Sequence, residues 1–161
     1  MVTEERICFV IAPIGGDGSE TRKHSDQAFK HLIAPAAEKC GYKAQRADHL
    51  PKPGIITTQV IELLRDAPMV VADLTGRNPN VFYELAIRHA VHKPLVQIIR
   101  RGEEIPFDVA PMRTVQFNLQ DPDDWVQARA EIIRQMHAAE KDPTAVDNPI
   151  SSAIDLQALR S

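Results

Sequence analysis

The stretch Met69-Val70-Val71-Ala72-Asp73-Leu74-Thr75-Gly76-Arg77-Asn78-Pro79-Asn80-Val81-Phe82-Tyr83-Glu84-Leu85 decides the fold. Its apolar start, Met69 to Ala72, predicts a strand that is buried on both faces. Asn78 and Pro79 are typical of a helix start, because Asn caps free N–H groups and Pro fits the first helical position. The stretch therefore predicts a strand, a loop and a helix that continues to His92.

The same alternation of strand and helix extends in both directions from this unit. Further apolar runs predict strands at 7–12, 42–47, 95–99 and 114–118, and helical periodicity predicts helices at 25–40, 55–66 and 122–140. Pro35 should kink the first of these helices or remove one hydrogen bond from it. Alternating strands and helices imply a parallel sheet. With right-handed crossovers, the fold class is α/β, a doubly wound, flavodoxin-like sheet of five parallel strands with helices on both faces.

Length and composition limit the domain organisation and the class of protein. A chain of 161 residues suits one domain, predicted to span residues 1–140, followed by a polar, proline-broken tail or linker at 141–161. A short helix is expected near Ile154 to Leu159, and the tail could lead to a regulatory domain beyond Ser161. The net charge of -3 argues against nucleic-acid binding.

Targeting signals and metal-ligand patterns are not found in this sequence. It has no apolar run long enough to cross a bilayer and no signal peptide, so we expect a cytoplasmic protein without membrane attachment. Cys8 and Cys40 are expected to be buried, reduced thiols. The six histidines show no ligand spacing, so no metal site is predicted.

Ligands of an open parallel sheet bind at the carboxyl ends of its strands, near the point where the strand order reverses. That rule selects the loops 13–19, 47–54, 73–80 and 100–111. Glu84 lies in the first two turns of the helix after the third strand, so its side chain could point back toward this crevice. An acid near a helix N-terminus is also common for electrostatic reasons alone, so a structural role stays open.

Other candidates in these loops have two interpretations each. The glycine-rich segment Pro13 to Ser19 either lets backbone amides approach a phosphate or is a flexible turn, and it lacks the P-loop Lys-Ser pair. Asp73 either binds a ribose hydroxyl or caps its own loop. Arg46 is near enough to the crevice to meet a phosphate. His89 is interpreted as a core histidine, and Arg113 precedes the fifth strand at the wrong end of the sheet.

At these residues the sequence resembles the TIR-like branch of the superfamily that also contains the nucleoside deoxyribosyltransferases. The resemblance covers about residues 6 to 118, and its most specific motif is Ala72 to Ala86. Supporting segments are Phe9 to Gly15, Asp48 to Ile55, Ile105 to Asp108 and Arg113-Thr114.

The resemblance implies cleavage of an N-glycosidic bond at a ribose by one essential glutamate, which Glu84 matches. The deoxyribosyltransferases also use two aspartates, and Thr58 and Asn78 occupy those places here. The departure favours the TIR-like branch, whose enzymes split NAD into nicotinamide and ADP-ribose or a cyclic form, often in bacterial antiphage defence. NAD is then the substrate, no cofactor is needed, and activation by homo-oligomer assembly is expected.

The chemistry of NAD suits a site with one carboxylate. Nicotinamide leaves from a cationic pyridinium as a neutral molecule, so no general acid is required, and one carboxylate can stabilise the oxocarbenium-like charge. The predicted catalytic residue is Glu84. The predicted substrate-binding residues are Pro13, Ile14, Gly15, Arg46, Asp48, Asp73, Asn78 and Asn80. The alternatives are a nucleoside or nucleotide N-glycosidase or deoxyribosyltransferase, and a non-enzymatic nucleotide-binding or self-assembly module.

Overall fold

The computed structural model describes residues 5–49, 58–105, 113–143 and 148–153. Its strands are β1 (Ile7–Ile11), β2 (Lys43–Arg46), β3 (Met69–Asp73), β4 (Leu95–Arg100) and β5 (Val115–Phe117). They form one sheet in the order β2-β1-β3-β4-β5, and every neighbouring pair is parallel. This order confirms the predicted flavodoxin-like fold class.

The helices cover both faces of this sheet. They are α1 (Glu20–Ala28), a π-helical turn (Phe29–Ile33), α2 (Ala34–Lys39), α3 (Thr58–Asp66), α4 (Pro79–Val91) and α5 (Pro122–Lys141). Short 3-10 turns lie at Ala47–His49 and Thr75–Arg77. One apolar cluster joins the sheet to α1, α2 and α5, and a second joins it to α3 and α4. We call these two sides of the sheet the α1 face and the α4 face.

Alternation along the strands assigns each side chain to one of these faces. Val71 of β3 belongs to the cluster on the α1 face, and its neighbours Val70 and Ala72 belong to the cluster on the α4 face. All five residues of β3 are buried, as the apolar run predicts. β3 pairs with β1 on one edge and with β4 on the other, so it is the central strand of the sheet.

The first helix differs from its prediction in where it begins and in how it accommodates proline. It begins at Glu20, immediately after the glycine-rich loop, so the expectation of a start near Ser25 was wrong. The Ser19 hydroxyl caps it by accepting the Arg22 N–H at 3.1 Å. At Pro35 the helix continues, because Ala34 donates to the Phe29 carbonyl five residues back, in the π-helical turn that precedes the proline.

Some predictions fall outside the described residues. These are the loop at 50–54, the first residues of the predicted helix at 55–66, the segment 106–112, and the short helix expected at 154–159. A helical turn is observed at 149–153, directly before that last segment. It is anchored to the domain, since the Asn148 amide donates to the His89 carbonyl at 3.0 Å.

Candidate active site

The strand order places the topological switch point between β1 and β3. From β1 the chain crosses to β2 on one side of the sheet, and it then returns to β3 on the other side. The loops that follow β1 and β3 therefore flank the crevice where ligands of this fold class bind. Pro13, Ile14 and Gly15 lie in the first loop, and Asn78 and Asn80 lie in the second loop and the start of α4.

Arg22 holds the loop after β1 in place. Its guanidinium donates to the carbonyls of Ile14 at 2.9 Å and Gly15 at 3.2 Å, and it forms an ion pair with Asp17. Gly15 has a φ of +66°, and an added Cβ would lie 2.8 Å from the Ser19 hydroxyl oxygen. The loop is therefore a braced turn that requires glycine at this position.

Glu84 lies on the inner side of α4 and is only 9% exposed. It precedes Arg88 by one turn, and Arg88 donates to the Leu64 carbonyl of α3 at 3.0 Å, so both side chains lie on the side of α4 that faces α3. Among the described residues, no hydrogen bond or ion pair to the Glu84 carboxylate is seen. Burial alone raises the pKa of Glu84 to about 7.

Asn78 and Asn80 form the start of α4. The Asn78 side-chain oxygen accepts the backbone N–H groups of Asn80 at 2.9 Å and Val81 at 3.4 Å, so Asn78 is the helix cap that its sequence context predicts. Asn80 is exposed. The Asn78 side-chain oxygen is therefore occupied by the helix, but the N–H₂ group of the same amide can still donate to a ligand.

Asp73 is completely buried on the α1 face. One oxygen accepts the Thr75 N–H at 3.0 Å, so it caps its own loop. The other oxygen lies 3.9 Å from Nε2 of His24 on α1, and neither of these two atoms has a hydrogen-bond partner among the described residues. Burial raises the pKa of Asp73. The structure therefore does not bring Asp73 together with Glu84, which lies on the α4 face.

Arg46 and Asp48 pair with each other at the end of β2. The Arg46 guanidinium bridges the carboxylates of Asp48 and Asp26, and it also donates to the Ser25 hydroxyl at 2.8 Å. Arg46 is only 3% exposed. Its charge is therefore satisfied within the protein, and its predicted contact with a phosphate stays a prediction.

Two residues of this region, one partly buried and one fully buried, were not identified from the sequence. His24 stacks on Phe117 with ring centroids 5.6 Å apart and faces Asp73, although 49 positions separate His24 from Asp73 along the chain. Arg88 is fully buried, which a charged residue rarely is. No local pattern indicates either contact. The start of α1 did have a local signal, since Ser19-Glu20 is a typical cap followed by an acid.

His89 and Arg113, which were not predicted to belong to the site, lie at the amino end of the sheet. His89 is buried, with Nε2 3.2 Å from the Gln97 side-chain oxygen, so the interpretation as a core histidine is confirmed. Arg113 lines a cavity of about 270 Å³ there. Cys8 is buried and Cys40 is partly buried, and both are free thiols. The described residues contain no group of three possible metal ligands and no helix long and apolar enough to cross a membrane.

Comparison with solved structures finds a likeness in fold, whereas comparisons by sequence find nothing. No known family profile matches the chain, and no curated protein matches it by sequence. The structure is similar to the TIR domains in the activated Roq1 resistosome that directly recognises the pathogen effector XopQ. The TM-score is 0.44 at 12% identity, over 97% of this chain and 98% of that chain. The fold described above rests on the strand order and not on this likeness.

Proposed function

We propose that the protein cleaves the nicotinamide–ribose bond of NAD and that Glu84 is the carboxylate that stabilises the transition state. The observation that carries the proposal is the state of Glu84: a buried carboxylate without a described partner, on the helix that starts at the switch point. Such a group costs folding free energy when it is ionised, and groups of this kind concentrate at functional sites. The resemblance to NAD-cleaving TIR-like enzymes supports the same residue.

The chemistry follows from the charges of the reacting groups. As the glycosidic bond breaks, its electron pair goes to the nicotinamide ring, which becomes neutral, and positive charge develops on the ribose. An ionised Glu84 in apolar surroundings attracts that charge strongly, because little solvent screens it. Water then adds to the ribose carbon and loses a proton, giving ADP-ribose. Attack by an adenine nitrogen instead would give a cyclic product.

The test is nicotinamide release from NAD by concentrated wild-type protein and by Glu84→Gln. We expect Glu84→Gln to lower the rate by about 100-fold or more, the size of the loss when one charge-stabilising group is removed. Glu38→Gln is the matched control, since Glu38 is an exposed acid at the end of α2. Equal activity of wild type and Glu84→Gln would contradict the proposal, as would silence of both.

The second candidate function is a nucleoside or nucleotide N-glycosidase. One observation favours it: a carboxyl whose pKa is about 7 is partly protonated at neutral pH and can donate a proton to a leaving base. Free base released from nucleoside monophosphates, with NAD untouched, would select this function. Ligand binding that survives Glu84→Gln without any turnover would instead indicate a non-enzymatic nucleotide-binding module.

The pH profile separates the two enzymatic candidates. If ionised Glu84 acts on NAD, kcat/KM should rise as pH increases through about 7, the pKa of Glu84 in the folded protein. If protonated Glu84 acts as a general acid, kcat/KM should instead fall above that pH. A profile that is flat between pH 6 and 8 would contradict both roles of Glu84.

Assembly and biological role are proposed from the resemblance alone. If a homo-oligomer completes the site, the specific rate of nicotinamide release should increase with protein concentration. If the protein acts in antiphage defence, bacteria that express the wild type should lose NAD during infection, and bacteria that express Glu84→Gln should not. A constant specific rate, or NAD loss with both proteins, would contradict these two expectations.

A further inference from the structure

We propose that the cavity at the carboxyl ends of the strands on the α1 face is a second binding site, separate from Glu84, and that it takes a nucleotide through its phosphates. The cavity has a volume of about 870 Å³, which is within the range of small-molecule sites. Its walls come from the β1–α1 loop, α1, the β3–α4 loop and the ends of β4 and β5. Pro13 and Asn78, two of the predicted substrate-binding residues, therefore line this cavity. Glu84 does not line it.

The charged side chains of the cavity wall are mostly cationic. They are Lys23, Arg77, Arg100 and Arg101, with one acid, Glu20, among them. His24 also lines the cavity, but burial lowers the pKa of its imidazole, so it is not counted as a cation. Cations that converge on one cavity suit a phosphate group, since charge-assisted hydrogen bonds to phosphate are among the stronger polar contacts.

Carboxylates outside the lining pair with all three of these arginines, and the Glu104 carboxylate lies 3.3 Å from Nη2 of Arg77. Glu103 accepts from Nε and Nη2 of Arg100 at 2.9 Å and also accepts the Gly76 N–H at 2.8 Å. Asp124 accepts from Nε of Arg101 at 2.8 Å and from the Asn118 N–H at 2.7 Å. A guanidinium has five N–H donors, so Nη1 of Arg100 remains for a ligand. Together with Glu20, these three carboxylates equal the four cations in number, so recognition of a phosphate rests on the hydrogen-bond donors of Lys23 and Arg100 and not on a net positive charge.

Lys23 and His24 contribute from the α1 wall. Among the described residues, no ion pair of Lys23 is seen, and its ammonium group is exposed. The His24 ring lines the cavity, while its Nε2 faces the fully buried Asp73 carboxylate at 3.9 Å. No hydrogen bond joins these two groups, so the contact that orients the His24 ring is its stacking on Phe117, with ring centroids 5.6 Å apart.

The remaining wall suits the nucleoside part of the ligand. Pro13, Pro79 and Leu119 supply apolar surface, and Thr21 and Gln27 supply hydrogen-bonding groups. An 870 Å³ cavity is much larger than inorganic phosphate needs. The combination of a cationic edge, neutral polar groups and apolar surface therefore indicates a whole nucleotide.

The experiment measures ADP, inorganic pyrophosphate and adenosine binding by calorimetry to the full chain. We expect ADP to bind wild type and Glu84→Gln equally, and more tightly than either fragment. The double variant K23A/R100A should weaken ADP binding by at least about tenfold, because it removes two charged donors. The matched control K30A/R134A removes two exposed cations outside the cavity lining and should change binding less than about twofold.

Several outcomes would overturn the proposal. They are no ADP binding by the wild type, equal losses in both double variants, loss of binding in Glu84→Gln, and pyrophosphate binding as tightly as ADP. Where NAD turnover is measurable, K23A/R100A should leave its KM unchanged. A large rise in KM would mean that the phosphates of NAD occupy the cavity, and the site would not be separate. If the protein does not cleave NAD, the ADP binding measurements still test whether the cavity is a nucleotide site.

Discussion

At the scale of single residues, Glu84 is better explained by function than by stability. It has no described partner, it lies among the buried residues of α4, and burial raises its pKa to about 7. An ionised carboxylate in that position opposes folding at neutral pH. Asp73 is also buried, but it accepts the Thr75 N–H and therefore stabilises its loop. Burial of Asp73 is thus accompanied by a stabilising hydrogen bond, whereas burial of Glu84 is not.

This difference gives a prediction for the pH dependence of stability. The pKa of Glu84 is about 7 in the folded protein and 4.5 as the ordinary value, so the folded state binds the proton more tightly. The contribution of Glu84 to stability is therefore full below pH 4.5 and is lost as pH rises through about 7. The glutamine of Glu84→Gln does not ionise, so the variant does not lose this stability as the pH rises. Relative to wild type, the variant should gain roughly 2 kcal/mol between pH 5 and pH 8.

The measurement is urea unfolding of both proteins at pH 5 and pH 8. Comparing the two proteins at each pH cancels the titration of all other groups, to the extent that they are independent of Glu84. Glu38→Gln serves again as the control and should show no pH-dependent difference. If the stability difference between Glu84→Gln and wild type were the same at both pH values, Glu84 would not be a desolvated carboxylate in the folded protein.

The sequence predicted where Glu84 lies on its helix but not the state of its carboxylate. Asn78, Pro79 and the apolar periodicity are local signals, and they placed the helix start correctly. Burial of Glu84 depends on α3, whose Leu64 carbonyl is 24 positions from Arg88, and no local pattern reports that packing. The same reason explains why the pairing of Asp73 with His24 could not be predicted.

At the scale of elements, the turn between β1 and α1 determines the start of the first helix. The prediction here concerns Gly15→Ala. A methyl group at Gly15 would meet the Ser19 hydroxyl oxygen at 2.8 Å and the Thr21 Cβ at 2.9 Å, at a φ of +66° that other residues rarely adopt. We expect a loss of roughly 1–3 kcal/mol in the free energy of unfolding.

Gly16→Ala provides the matched control in the same turn. Gly16 is not among the glycines with positive φ, and an added Cβ there meets nothing within 4 Å. Urea unfolding should therefore show a change within about 0.5 kcal/mol for this variant, as for ordinary surface positions. Similar losses in both variants would mean that the turn is strained as a whole and that the contacts of Gly15 with Ser19 and Thr21 are not the cause.

Elements were predicted well where their signals are local and less well where two signals compete. The buried strands β1, β3 and β4 follow from continuous apolar runs, because both faces of each are covered. The first helix was placed too late because its opening turns, from Glu20 to Asp26, are polar and show no apolar stripe. Its behaviour at Pro35 depends on a π-helical turn, a conformation with no clear sequence signal.

At the scale of the whole molecule, the sheet separates the predicted site residues into groups. Asp73 and Arg46 lie on the α1 face, where both contact residues of α1, and Glu84 lies on the α4 face. The period of two along β3 already assigns Asp73 and Val71 to the same face. The face on which α4 lies could not be predicted from the sequence, because it depends on how the helices are distributed over the sheet.

Arg88 of α4 contacts both α3 and the segment before β4, and its removal gives the last prediction. It donates to the Leu64 carbonyl of α3 at 3.0 Å and to the Pro94 carbonyl before β4 at 2.9 Å. In a regular helix the Leu64 carbonyl would accept from residue 68, but Pro68 has no N–H group. Arg88 supplies that donor. Although Arg88→Met relieves a buried charge, we expect a net loss of about 2–4 kcal/mol, since it removes two charge-assisted hydrogen bonds.

A double-mutant cycle with Pro68→Ala tests this explanation by urea unfolding. Pro68→Ala restores an N–H group next to the Leu64 carbonyl, so Arg88→Met should cost at least about 0.5 kcal/mol less in that background. Arg65→Met is the control. Arg65 is an exposed residue in the last turn of α3, and its replacement should change stability by less than about 0.5 kcal/mol in either background. Strict additivity of Arg88→Met and Pro68→Ala would contradict the explanation that Arg88 replaces the donor missing at Pro68. Coupling would show that a side chain from α4 completes the hydrogen bonding of α3 beside the residue proposed to be catalytic.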